Sequence, residues 1–153
     1  MELSNKKRAG SIKRFFILTG ILTVAGGQLL LWYKYELAVI ILAIVFAFFV
    51  ILFLSGNFCY IFFSTENNKV TIRYYPVISI LGREYNTIEF PHQSLLNFQI
   101  EKGLGFSDLT IAIRSQRGIA EYPPVSLAAL NKVEIEKIRH TLTEIMKKNK
   151  SGI

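Results

Sequence analysis

Two stretches of the chain lack charge altogether. Phe15 to Trp32 (FFILTGILTVAGGQLLLW) has no charged residue, and Leu37 to Leu54 (LAVIILAIVFAFFVILFL) has no polar side chain at all. Exposure to water is excluded for both. Cysteine is nearly missing too: Cys59 stands alone, so no intrachain disulfide forms and the redox compartment stays undecided. Neither His92 nor His140 has a cysteine or acid at ligand spacing, so no metal is expected. Asp108, Ser94, Ser107 and Ser126 fall in no nucleophile elbow and beside no attached base, which leaves catalysis without positive support and no cofactor implied. Repeats and low-complexity tracts are absent as well, which excludes a solenoid.

What is present begins with the length of those apolar runs. Eighteen helical residues rise roughly 27 Å, close to the roughly 30 Å of a bilayer's hydrocarbon core. Only Tyr33, Lys34, Tyr35 and Glu36 separate the runs, so they read as an antiparallel transmembrane hairpin with spans of about 15–32 and 37–58. A cleaved signal peptide fits poorly, because the first run continues to Trp32 without a small-residue cleavage site and a second span follows. Lys6, Lys7, Arg8, Lys13 and Arg14 precede the first run against Glu2 alone, whereas Lys34 in the turn is balanced by Glu36. The positive-inside bias therefore predicts a multi-pass membrane protein with both termini cytoplasmic. Trp32, Tyr33 and Tyr35 mark the outer headgroup zone, within reach of Gln28.

Small residues recur every fourth position on both spans. Thr19, Thr23 and Gly27 line one face of the first, Ala43 and Ala47 one face of the second. A hairpin turning near residue 35 brings Gly27 level with Ala43 and Thr23 with Ala47, a face for packing within the hairpin or against a partner helix. The basic leader is also a candidate lipid contact, worth about 1 kcal/mol per residue near an anionic surface, although topology already accounts for it.

Of the net charge of +7, residues 1–63 carry six Lys or Arg against two acids, and residues 64–153 carry twelve against nine. The basic excess thus flanks a span, and no nucleic-acid partner is implied. Some 90 residues remain after the hairpin, enough for one small domain over 64–153. After Ser55, Gly56 and Asn57 comes the aromatic group Phe58 to Phe63, which either continues the helix or opens the first strand of the domain; the favoured reading is helix to about residue 58 followed by rings packing the domain onto the membrane. Cys59 reads as an inert buried thiol rather than an acylation site.

From Glu66 the pattern changes to short strands split by turns. Asn67 and Asn68 turn the chain into Lys69 to Tyr75; Val77 to Leu81, Arg83 to Phe90, Leu95 to Glu101, Leu109 to Arg114 and Ile119 to Tyr122 follow. These runs are too close for intervening helices, so an antiparallel meander of five to seven strands is predicted. Alternation places Leu96, Phe98 and Ile100 inward with Leu109, Ile111 and Ile113. Lys102 to Asp108 (KGLGFSD) has glycines beside a lysine but no following helix, and reads as a hairpin turn rather than a phosphate loop. Asn131 with Glu134 opens a final helix of about 131–148, whose Ile135, Ile138, Leu142 and Ile145 form one apolar stripe.

This order of parts, a two-span hairpin followed by those strands and the helix after Asn131, resembles the bacterial PH-like (pleckstrin-homology-type) membrane proteins. The resemblance is architectural and covers about residues 60–148. It implies an α+β membrane protein whose bent antiparallel sheet is closed by one C-terminal helix. The expectation is a non-catalytic accessory or scaffold protein that binds other membrane proteins, or its own copies, through hairpin and domain. The alternative is an anionic-lipid-binding module. No small-molecule substrate is evident.

Overall fold

The computed structural model describes residues 1–78, 85–103, 106–115 and 118–151. Its chain path begins with a short strand, β1 (Glu2–Ser4), and runs at once into helix α1 (Lys6–Trp32) and helix α2 (Glu36–Ser55). Both helices are long and apolar enough to cross a membrane. The chain then returns as strand β2 (Cys59–Glu66), which pairs antiparallel with β1, Leu3 opposite Phe63. The helical hairpin is thus an insertion between two neighbouring strands of one sheet. The leader from Lys6 to Arg14 is not a tail, since it forms the first turns of α1 itself.

Helix α2 stops at Ser55 rather than near residue 58, and the reason lies in the next two residues. Gly56 is buried, and a Cβ there would sit 2.7 Å from the Phe58 ring; Asn57 then takes φ of 42°, which breaks the helix. Phe58 packs between Phe53 and Phe106, with ring centroids 5.0 and 5.8 Å away. The aromatic group Cys59 to Phe63 is therefore strand, with Ile61 and Phe63 in the core.

Strand β2 turns through Asn67 and Asn68, both at positive φ as a type I′ hairpin requires, into β3 (Lys69–Pro76), with Glu66 opposite Lys69. Strand β4 (Asn86–Pro91) completes a four-stranded sheet in the order β1-β2-β3-β4. The proposed strand Val77 to Leu81 and the residues Arg83 and Glu84 fall mostly outside the described residues. One 3-10 turn (His92–Ser94) leads to a second sheet, in which β6 (Ser107–Ser115) pairs β5 (Leu95–Lys102), β7 (Gly118–Glu121) and β8 (Val125–Ser126). Lys102 pairs with Ser107, and the Gly103 N–H donates to the Phe106 carbonyl; the expected turn itself falls on Leu104 and Gly105, outside the described residues. Among the described residues the strands form two four-stranded sheets instead of one meander; β1 and β8 were too short to show as periodic runs.

One hydrophobic cluster joins both sheets and the final helix, α3 (Lys132–Ser151). Leu109 and Ile111 are buried in it, with Phe98, Ile100 and Ile113 packed against it, but Leu96 is replaced by Leu95. The register between β5 and β6 shifts by one residue after Leu95, and that bulge reverses which side chains face inward. Helix α3 starts with a reciprocal cap: the Glu134 N–H donates to Asn131 Oδ1 and the Asn131 N–H to Glu134 Oε2, each at 2.7 Å. Its Ile138 and Leu142 are fully buried, whereas Val133 is 63% exposed. Leu142→Ala should cost about 3 kcal/mol in denaturant unfolding, within the usual 2–5 kcal/mol for a buried leucine. Val133→Ala should cost less than about 0.5 kcal/mol. Equal effects of the two would place α3 off the core.

Candidate membrane-interface site

The base of the hairpin is held by Asn5, the residue before α1. It is 2% exposed, and instead of capping the helix its side chain bonds to the backbone of β2. Its Nδ2 donates to the Cys59 carbonyl at 3.0 Å, and its Oδ1 accepts the Ile61 N–H at 2.9 Å. The Asn5 N–H also donates to the Ile61 carbonyl, and its own carbonyl accepts from Ala9 N–H in the first helical turn. A polar residue just before a long helix ordinarily reads as an N-cap. Only the return of β2 beside it gives Asn5 this second use, which is why the sequence did not single it out. One turn on, Ala9 is 5% exposed.

Between the helices, the small-residue face of α1 is where the sequence placed it. Thr19, Thr23 and Gly27 are all partly buried in the hairpin. Each threonine hydroxyl is satisfied within the helix, Thr19 on the Phe15 carbonyl and Thr23 on the Thr19 carbonyl. On α2 the contact face is different. A Cβ on Gly27 would meet Leu42 at 4.0 Å, one on Gly20 would meet Phe46 at 3.9 Å, and Phe53 packs on Phe16 with centroids 4.5 Å apart. Ala43 and Ala47 are exposed, so the level pairs Gly27–Ala43 and Thr23–Ala47 do not form. The reason is volume: large α2 side chains fill the space above the α1 glycines, and the alanines turn outward.

The basic residues of α1 divide by face. Lys6 and Lys13 border a groove against the sheet beside Tyr60 and Tyr75, while Lys7, Arg8 and Arg14 do not line it. Cys59 lies under the same edge of the sheet. Burial, and then the Asp108 carboxylate, push its thiol up to about 11, so it is unreactive near neutral pH. His140 is exposed, its Nδ1 3.7 Å from Glu144. His92 is part of the 3-10 turn and half-buried. Its N–H donates to the Asn68 carbonyl and its carbonyl accepts from Asn149, which ties hairpin, turn and α3 together. Its Nε2 is buried without a partner. Among the described residues no three His, Cys, Asp or Glu side chains gather as a metal site. No family model matches the chain, and neither a curated protein nor a solved structure is similar to it.

Two outcomes follow from these contacts. Asn5→Ala strands the Ile61 N–H and the Cys59 carbonyl in a buried place, which should cost about 3 kcal/mol of domain stability in denaturant unfolding in micelles. A loss under about 0.5 kcal/mol would show the clamp to be idle. Burial, opposed by the Lys69 backbone and aided by Lys148, holds His92 below its ordinary 6.5. The unfolded chain therefore binds the proton more readily, so the stability contributed by neutral His92 is complete above pH 6.5 and declines as pH falls through the lower folded value. His92→Gln should flatten that part of the stability-versus-pH curve, and an unchanged slope would contradict the assignment.

Proposed function

We propose that the chain is a membrane-anchored, non-catalytic accessory or scaffold protein, which places a PH-like domain against the cytoplasmic face of a bacterial inner membrane and docks onto other membrane proteins. The anchoring reading is supported by the charge-free lengths of α1 and α2 and by their joint origin from one sheet edge. Since β1 and β2 are neighbours, both ends of the hairpin return to the same side, and the basic residues of α1 stand on that side. Two antiparallel sheets followed by a single C-terminal helix support the PH-like outline.

The observation that carries the scaffold reading is the outward Ala43–Ala47 face of α2. The hairpin satisfies itself with Leu42, Phe46 and Phe53, and leaves small residues four apart on a helix that has no second neighbour among the described residues. In lipid such a face permits close approach of a third helix, from another membrane protein or a second copy of this chain. The domain offers a further docking edge in β7, whose four residues are all exposed and which pairs only with β6 among the described strands.

Ala43→Phe should reduce co-purification of the bound membrane protein, or of a tagged second copy, at least severalfold in mild detergent. The melting of the domain should not change, because residue 43 is exposed and stands outside the domain core. Purification of the unaltered protein alone, with crosslinking that yields only monomer, would refute the scaffold.

A further inference from the structure

We infer that the groove between the first three turns of α1 and the edge of the β2–β3 pair is a binding site for one anionic phospholipid. The groove has a volume of about 470 Å³ and is lined by Lys6, Gly10, Lys13, Phe16, Tyr60 and Tyr75, with Val77 and Ile78 at its far end. Lys6 and Lys13 are seven residues apart, so they stand on one helical face two turns, roughly 10 Å, from each other. Gly10 lies between them and leaves the wall open: nothing stands within 4 Å of where its Cβ would be. No acid lines the groove, and neither lysine has a carboxylate partner among the described residues. The opposite wall is a pair of rings in contact, Tyr60 and Tyr75, with centroids 4.5 Å apart and planes tilted by 31°, and the Tyr60 hydroxyl is held 3.2 Å from Ser4 Oγ.

The polarity of the groove runs in one direction. Along α1 it passes from Lys6 through Lys13 to Phe16 and Ile17, across the point, Phe15, where charge ceases. Along the sheet it passes from the Tyr60–Tyr75 pair to Val77 and Ile78, and the Val77 N–H donates to the Phe58 carbonyl beside the end of α2. Both walls are therefore cationic or amphipathic at one end and apolar at the end that faces the hairpin. That gradient matches a phosphodiester held by two ammonium groups, a glycerol backbone beside tyrosine rings, and acyl chains descending along Phe16 and Ile17. A soluble phosphate compound would leave the apolar end without an occupant. The site rests on the bilayer placement proposed above, because only there do the apolar ends meet acyl chains.

The test uses the full-length chain in nanodiscs of phosphatidylcholine mixed with phosphatidylglycerol, released into the mass spectrometer with its retained lipids. Phosphatidylglycerol should be retained preferentially. Lys6→Ala with Lys13→Ala should lower that preference roughly thirtyfold, about 1 kcal/mol per lysine, and arginine at both positions should restore it. Lys7→Ala with Arg8→Ala, which removes the same charge but off the groove, should lower it far less than loss of the groove pair. Gly10→Leu fills the groove without altering charge or clashing, and should lower retention as strongly as loss of the lysines. Equal retention of the two lipids, dependence on Lys7 and Arg8 instead, or indifference to Gly10→Leu would overturn the site while leaving the anchor intact. Displacement by free glycerol phosphate would assign the groove to a soluble ligand and overturn the lipid. A chain that does not stay in the disc would overturn the anchor, and the groove with it.

Discussion

The structure depends on one buried asparagine. Asn5 joins the start of α1 to β2 through its side-chain amide and its backbone, and so fixes the place where a 50-residue helical insertion leaves and re-enters a sheet. Each of these hydrogen bonds alone is worth about 1 kcal/mol net. Their joint effect is geometric, because β1 contributes only three residues and pairs only with β2 among the described strands. At the other leg, Gly56 and Asn57 leave no slack between α2 and Phe58. The domain is thus attached to the hairpin at two points, by short backbone at both.

That double attachment is what turns a generic anchor into a placed surface. With the hairpin across a bilayer, as proposed, the tilted ring pair Tyr60–Tyr75, the two groove lysines and the end of α2 all meet the headgroup zone together. A flexible linker would decouple them. The burial of Cys59 belongs to the same packing, since its thiol is kept protonated beneath this edge.

Legibility in the sequence followed the range of the interactions. The apolar runs, the Asn67–Asn68 turn and the Asn131–Glu134 cap are local signals, and each is present as read. Leu96 failed because a bulge, set by pairing with β6, displaces the alternation by one residue. Phe58 to Phe63 was divided wrongly between helix and domain because an aromatic run has the same composition in either, and the deciding residues are the buried Gly56 and the left-handed Asn57. For Ala43 and Ala47 the spacing left open whether their shared face met α1 or a partner helix, since spacing shows that small residues share a face but not what that face meets. The groove could not be seen at all: Lys6 and Lys13 are brought beside Tyr60 and Tyr75 by strand pairing over more than fifty residues.

The claim on which the rest stands is that β1 closes the sheet and pins the base of α1. Amide hydrogen exchange of the full-length protein in nanodiscs, resolved at Leu3 and Asn5, tests it directly. The account predicts that both amides exchange slowly, in the same class as Ile61, Phe63 and their β3 partners, because they open only when that sheet opens. Exchange of Leu3 and Asn5 at the rate of an unstructured tail, while β2 and β3 remain protected, would contradict it.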